Sequence, residues 1–234
     1  MTLSQRTVVL NELAIGIARL ESARPIRVAI DGRTASGKTT LADELARLIE
    51  PGGRQVIRTS IDGFHRPRAQ RYARGRYSPE GYYYDARDHA AINALLLAPL
   101  GPGGDCHYRT ASFDLTNDRP VQQELRRASM DAILIVDGTF LQRPELRNGW
   151  DLTIFVEVSE RVAALRGVGR DAALLGGAES ARQLYAARYQ PAFDLYERLC
   201  SPSATADVIL NNEDVDRPRL YVRDDGRLAS DTVP

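Results

Sequence analysis

The stretch "IRVAIDGRTASGKTTLADEL" (Ile26–Leu45) constrains this chain more than any other. Ile26–Ile30 is a short apolar, β-branched run and reads as a buried strand. Leu41, Leu45 and Leu48 recur at helical spacing, and Pro51–Gly53 closes that helix near Glu50. Between strand and helix, Gly32-x4-Gly37-Lys38-Thr39 fits G-x-x-x-x-G-K-[ST]. The glycines let backbone N–H groups turn inward around phosphate oxygens, and the helix beginning near Lys38 adds its positive end. Lys38 reaches the β- and γ-phosphates, and the Thr39 hydroxyl is placed to hold Mg²⁺. Gly32, Thr34, Ala35, Ser36, Gly37, Lys38, Thr39 and Thr40 are thus the candidate nucleotide-binding residues. Other glycine clusters, Gly101–Gly104 and Gly167–Gly169, lack a strand before and a helix after, and read as turns.

The rest of the chain supports an α/β domain around that loop. Leu10, Leu13, Ile17 and Leu20 predict an amphipathic helix over about 4–22, which packs on its own domain or on a partner. Further apolar runs predict strands at 55–61, 132–138, 152–158 and 206–212, with a sixth at 219–224. Helices are expected near 88–97 and over 159–199, the latter broken at Leu175–Ser180. Strands that are apolar throughout, alternating with helices, indicate an α/β domain with a mainly parallel sheet flanked by helices, and the phosphate loop within it makes the expected fold that of a P-loop NTPase. We read 1–234 as a single domain with a helical lid at about 159–180. From Asp62 to Asp85 the chain is polar, basic and aromatic, and reads as a long functional loop. The end after Gly226 reads as frayed.

Charge and composition exclude several roles. Lys and Arg number 31 and Asp and Glu 31, so no overall basic balance draws the chain to nucleic acid or an anionic membrane. No run of about 18 apolar residues is present to span a bilayer. The two cysteines, Cys106 and Cys200, are far apart, which fits a reducing cytoplasm. His65, His89 and His107 have no metal-like spacing.

The second carboxylate that a phosphate-bound metal needs is expected at the end of a neighbouring strand, and "AILIVDG" supplies Asp137 there. The chain is short and lacks both N-K-x-D and L-S-G-G-Q, which favours a small-molecule kinase among proteins with this loop. Transfer to an alcohol needs a carboxylate beside the hydroxyl. Asp62, at the end of "QVIRTSI", is in the right place because parallel strands deliver their C-terminal residues to the ligand crevice.

An ordered set of segments resembles one family. "GRTASGKTT" is similar to the uridine kinase loop G-G-T-A-S-G-K, and "IDGFHR" to its D-S-F-Y-R. "YYDARD" (Tyr83–Asp88) resembles N-F-D-H-P-D, and "IVDGTF" resembles F-E-G-I. "DLTIFVEVSERVAALRGVGRD" (Asp151–Asp171) resembles the family's strand and arginine-bearing lid, and "QPAFDLYERLCSPSATADVIL" (Gln190–Leu210) its K-P-A-F…A-D-V-I ending. Together they resemble the uridine kinase, phosphoribulokinase and pantothenate kinase group over about Ile26–Leu210. The resemblance implies ATP as phosphate donor, Mg²⁺, and a small-molecule hydroxyl acceptor such as uridine, cytidine or a sugar. It implies Asp62 as catalytic base and Phe64 and His65 at the border of the acceptor site. It also implies Asp85 on sugar hydroxyls, and Arg166 and Arg170 as lid arginines closing on the transferring phosphate. Tyr84 belongs to the aromatic run Tyr82–Tyr84, which walls a pocket or packs under the loop. Tyr108 is the counterpart of a base-reading tyrosine.

The family's Y-D-F-x-x-H-S-R segment is "HYRTASFD" here, without the H-S-R part, so uracil recognition does not carry over. Asp31 and Arg33 also replace the small residues usual around the first loop glycine. The five arginines of Arg66–Arg76 attract a phosphorylated substrate or form a solvated loop. The contrasting role for the whole chain is a regulatory ATPase that binds nucleotide and has no small-molecule acceptor. Oligomeric state, and a choice between ATP and GTP, are left open by the residues alone.

Overall fold

A computed structural model describes residues 4–228. Among these, six strands form one sheet: β1 (Ile26–Gly32), β2 (Val56–Ser60), β3 (Ile133–Asp137), β4 (Leu152–Glu157), β5 (Val208–Asn211) and β6 (Arg219–Val222). Their spatial order is β6-β5-β4-β1-β3-β2. Neighbours run parallel except for β6, which is antiparallel to β5 at the edge. Ile26 lies opposite Ile133 and Val28 opposite Leu152, so β1 sits between β3 and β4. Every residue of β1 and β3 is buried, as central parallel strands covered on both faces must be. This register lines up the C-terminal ends of β1, β2 and β3 along one edge, where the phosphate loop begins.

The five longer helices are α1 (Gln5–Arg19), α2 (Lys38–Ile49), α3 (Glu160–Asp171), α4 (Ala178–Leu184) and α5 (Gln190–Cys200); α3 and α4 pack on each other. The Ser4 side chain caps α1 by accepting from the Thr7 N–H. The helix stops at Arg19, short of the expected 22, because Leu20 turns to φ −58°, ψ 124°. Leu10, Leu13 and Ile17 of α1 pack with Leu41, Leu45 and Ile30, so this helix is part of its own domain's core. On the opposite face Phe64, Leu96, Leu134 and Trp150 form a second core. A third, aromatic core joins Tyr83, Phe140, Phe155, Phe193 and Tyr196.

Several expectations need correction. The segment 62–85 is not a bare loop: it forms short helical turns at Ile61–Phe64, Arg68–Arg71 and Gly81–Asp85. The Arg188 guanidinium lies 4.8 Å from the Tyr72 ring and 5.0 Å from the Tyr82 ring, and Tyr82 meets Phe140 at 5.3 Å. Packing of arginine on aromatic rings has neither helical nor strand periodicity, so the pattern did not announce it. Two ladders of two residues per strand, 107–108 with 126–127 and 113–114 with 119–120, are too short to show alternation. The break in the lid region runs from Ala172 to Gly177, where Gly176 and Gly177 take positive φ. The chain is not frayed directly after Gly226, since Leu228 is buried in the first core. The remaining expected frayed end, 229–234, lies outside the described residues.

Candidate active site

Strand β1 delivers the loop 32–37 to the start of α2. Gly32 has φ +145° and Gly37 φ +98°. A Cβ on Gly32 would lie 2.5 Å from the Val156 carbonyl oxygen, and one on Gly37 2.6 Å from Asn212 Nδ2. Both positions therefore require glycine on grounds of space as well as conformation. Asn212, just past β5, donates from Nδ2 to the Ser36 carbonyl at 2.8 Å and holds the loop from behind. Ser36 itself is fully buried, and its Oγ makes no hydrogen bond among the described residues.

The ends of β1, β2 and β3 open into one cleft of about 240 Å³. From the loop it takes Thr34, Ala35, Lys38 and Thr39, from the end of β2 Asp62 and His65, and from the end of β3 Asp137 and Thr139. Arg170 and Asp171 at the end of α3, with Tyr82, Arg87, Leu115 and Tyr189, complete the walls. A larger, mostly apolar groove between α1 and β6, about 470 Å³, holds no comparable set of converging charges. Among the described residues no helix is long and apolar enough to cross a membrane.

Lys38 is buried and donates from Nζ to the Arg33 carbonyl at 2.7 Å. Burial lowers its pKa to about 8, against the pull of Asp31, Asp137 and Asp62. Thr39 Oγ1 donates to Asp137 Oδ2 at 2.6 Å. The other Asp137 oxygen lies 2.7 Å from Arg58 Nη1 without hydrogen-bond alignment, and accepts no hydrogen bond among the described residues. No group of three His, Cys, Asp or Glu is gathered for a metal among the described residues. That donor set still fits Mg²⁺ beside a nucleotide, which takes one or two protein oxygens and fills its remaining positions with phosphate and water. A hydroxyl and a buried carboxylate oxygen with no hydrogen bond supply those two.

Asp62 extends into the cleft with its side chain 61% exposed. Its Oδ1 accepts from Arg87 Nη2 at 2.6 Å. Burial of its surroundings acts to raise its pKa, but the charges of Arg87 and Lys38 outweigh this and hold the carboxyl below the usual range. Arg170 is bound at Nε by Asp171 Oδ1 at 2.7 Å, while Tyr185 OH donates to Asp171 Oδ2 at 2.8 Å. This chain of contacts fixes a guanidinium of α3 at the cleft wall.

Six expected site residues stand elsewhere. Arg166 turns away from the cleft, donating from Nη1 and Nη2 to the Asn212 carbonyl and from Nη2 to that of Glu213, all at 3.0 Å. It braces the segment that braces the phosphate loop. Phe64 is fully buried in the second core, where Tyr108 also packs. Asp85 accepts from Arg74 at 2.8 Å outside the cleft, and Tyr84 is exposed and set edge-on against Tyr83. Thr40 lies on the exposed side of α2, beyond the cleft lining. Conversely, Arg87 and Asn212 were not anticipated. Arg87 lies within "YYDARD", where a lone arginine among acids signals an ion pair without naming its partner.

No protein-family model matches the chain. It is 28% identical over 190 residues to Uridine-cytidine kinase B of Dictyostelium discoideum, covering 81% of this chain and 75% of that protein. Uridine-cytidine kinase A of the same organism is 27% identical over 176 residues, but the chain spans only 33% of its length. The fold superposes on a protein from Bacillus stearothermophilus described as a possible uridine kinase, with TM-score 0.69 and 24% identity, covering 87% of this chain and 97% of that one. The chain is uridine kinase-like in sequence and has the P-loop kinase fold.

Proposed function

We propose that this protein transfers the γ-phosphoryl group of ATP to a hydroxyl of a small molecule. One observation carries the proposal: Lys38 and Thr39 at the start of α2, Asp137 at the end of β3 and the ionised Asp62 just past β2 face the same cleft. The kinase names of its relatives support the same reading.

In this mechanism the loop 32–37 and the start of α2 cradle the phosphates. Thr39 and Asp137 are the residues that would hold Mg²⁺, which when bound neutralises charge on the β- and γ-phosphate oxygens. Asp62 accepts a hydrogen bond from the acceptor hydroxyl and orients its oxygen for in-line attack. Lys38 and Arg170 face the oxygens on which charge accumulates. Residues 160–184 act as the lid that excludes water.

The acceptor is a small alcohol rather than a base-selected nucleoside alone. The test is ADP release with a panel of uridine, cytidine, ribose, fructose and pantothenate, with basal hydrolysis subtracted. At least one acceptor is expected to raise turnover well above basal. Asp62→Asn is expected to keep ATP binding and lower transfer by about two to four orders of magnitude. Basal hydrolysis unmoved by every acceptor would turn the reading toward a regulatory ATPase.

A further inference from the structure

Arg87 is brought to Asp62 by the backbone. Asp88 N–H donates to the Phe64 carbonyl at 2.8 Å and Arg66 N–H to the Ala86 carbonyl at 3.1 Å, so residues 64–66 and 86–88 run antiparallel past one another. Arg87 is only 7% exposed. It donates from Nη2 to Asp62 Oδ1 and from Nη1 to His65 Nε2. Guanidinium has no acceptor, so His65 Nε2 must be the acceptor and its proton must sit on Nδ1. That fits the remaining contact, His65 Nδ1 to the Asp62 carbonyl oxygen at 2.8 Å. The four groups close a ring: Asp62 carboxylate, Arg87 guanidinium, His65 imidazole, Asp62 carbonyl. Arg87 Nε is buried with no partner among the described residues, an arrangement that costs stability and that packing alone does not explain.

We propose that Arg87 is a positioning residue that, with His65, clamps the Asp62 carboxylate so that Oδ2 alone is presented to the acceptor hydroxyl. The proposal rests on the phosphotransfer reading above. In the clamp, His65 cannot take a proton without losing Arg87, so it is neither general base nor metal ligand. Asp62 stays ionised and its rotation is fixed, so it orients the hydroxyl rather than competing strongly for its proton. The sequence segment that resembles N-F-D-H-P-D carries Arg87 in place of its proline.

Two measurements on the full chain test it. The first is long-range ¹H–¹⁵N spectroscopy of ¹⁵N-histidine protein, which contains three histidines. The groups facing His65 are Arg87, Asp62 and Arg71, and burial plus the Arg87 charge keep its pKa low. Wild type is expected to show a neutral Nδ1–H His65 that does not titrate between about pH 5 and 8. In Arg87→Gln, His65 should titrate toward the ordinary histidine range. The second is kinetics with an acceptor found by the panel. The groups facing Asp62 are Arg87, His65 and Lys38. Arg87→Gln should lower kcat about 10- to 100-fold with the KM for ATP unchanged. It should also raise the acid limb of the kcat profile by about one pH unit, and Arg87→Lys should restore part of both. An Nε2–H tautomer in wild type, or a His65 indifferent to Arg87→Gln, overturns the clamp whether or not any acceptor is known. Wild-type kcat and pH profile in Arg87→Gln overturn the positioning role and leave phosphotransfer standing. A panel without any acceptor instead removes the phosphotransfer reading, and with it the role assigned to Arg87.

Discussion

Thr39 Oγ1 and Asp137 Oδ2 are 2.6 Å apart, although 98 residues separate them in the chain. Parallel pairing of β1 with β3 makes this contact, by setting Ile30 opposite Asp137. If the pair holds Mg²⁺, Thr39→Val and Asp137→Asn should each lower transfer by at least about 100-fold. Both should also raise the Mg²⁺ concentration needed for half-maximal ADP release. Asp137 is also paired with Arg58, so thermal unfolding of both variants should be followed alongside. Variants that unfold as wild type yet keep the wild-type Mg²⁺ requirement would remove these residues from the metal site.

Gly167 in α3 exists to make room for Tyr185. A Cβ there would lie 2.1 Å from the tyrosine ring and its hydroxyl. Gly167→Ala must displace Tyr185, and with it the hydroxyl that donates to Asp171, the carboxylate holding Arg170. The expected cost is about 1–3 kcal/mol of stability, read by urea unfolding. A fall in kcat/KM beyond that caused by partial unfolding should accompany it. Wild-type stability in this variant would mean that the ring has space to move.

At the opposite end of β1, Asp151 collects three arginines. It accepts from Arg24 at 2.6 and 2.7 Å and from Arg27 at 3.0 Å, and Arg227 lies 3.6 Å away. Burial acts against its charge, but the bonds from Arg24 and Arg27 prevail and hold its carboxyl well below the usual range. A depressed carboxyl adds stability above its unfolded pKa and loses it as pH falls toward the folded one. Asp151→Asn should therefore cost about 3–5 kcal/mol at neutral pH, with the deficit shrinking below about pH 4. Equal deficits at neutral and acid pH would contradict this account.

How far these features could be read in the chain depended on whether they are local. The loop 32–39 was legible because strand, glycines, lysine and helix adjoin one another in sequence, and Asp62 and Asp137 because strand ends in a parallel sheet share one edge. Arg166 was misplaced because helical spacing says which face of α3 it occupies, and not that the 212–213 carbonyls lie within its reach. Tyr108 and Phe64 matched family positions, but in this chain their rings complete the second core. Arg87 was missed because its partner Asp62 is 25 residues away and joined through a backbone bridge that leaves no periodic trace.

Asp31 replaces a small residue at the entrance to the phosphate loop and is fully buried. It accepts from the Gly32 N–H at 2.7 Å and from the Tyr196 hydroxyl. Desolvation dominates and raises its pKa, while Tyr196, Gly32 and Lys38 act the other way. The sign of the consequence is opposite to that for Asp151. Between the unfolded and the raised folded pKa, the folded chain binds more protons than the unfolded one, so this group lowers stability as pH rises through that window. Asp31→Asn removes the titration but keeps a polar group for Tyr196. Unfolding free energies of wild type and variant, measured by urea from about pH 4 upward, should therefore diverge in the variant's favour as pH increases. Tyr196→Phe takes away a hydrogen bond that favours the charged form, so it should make the wild-type decline steeper or extend it to higher pH. Parallel curves for wild type and Asp31→Asn would show that Asp31 ionises as easily folded as unfolded, and that the hydrogen bonds around it fully replace water.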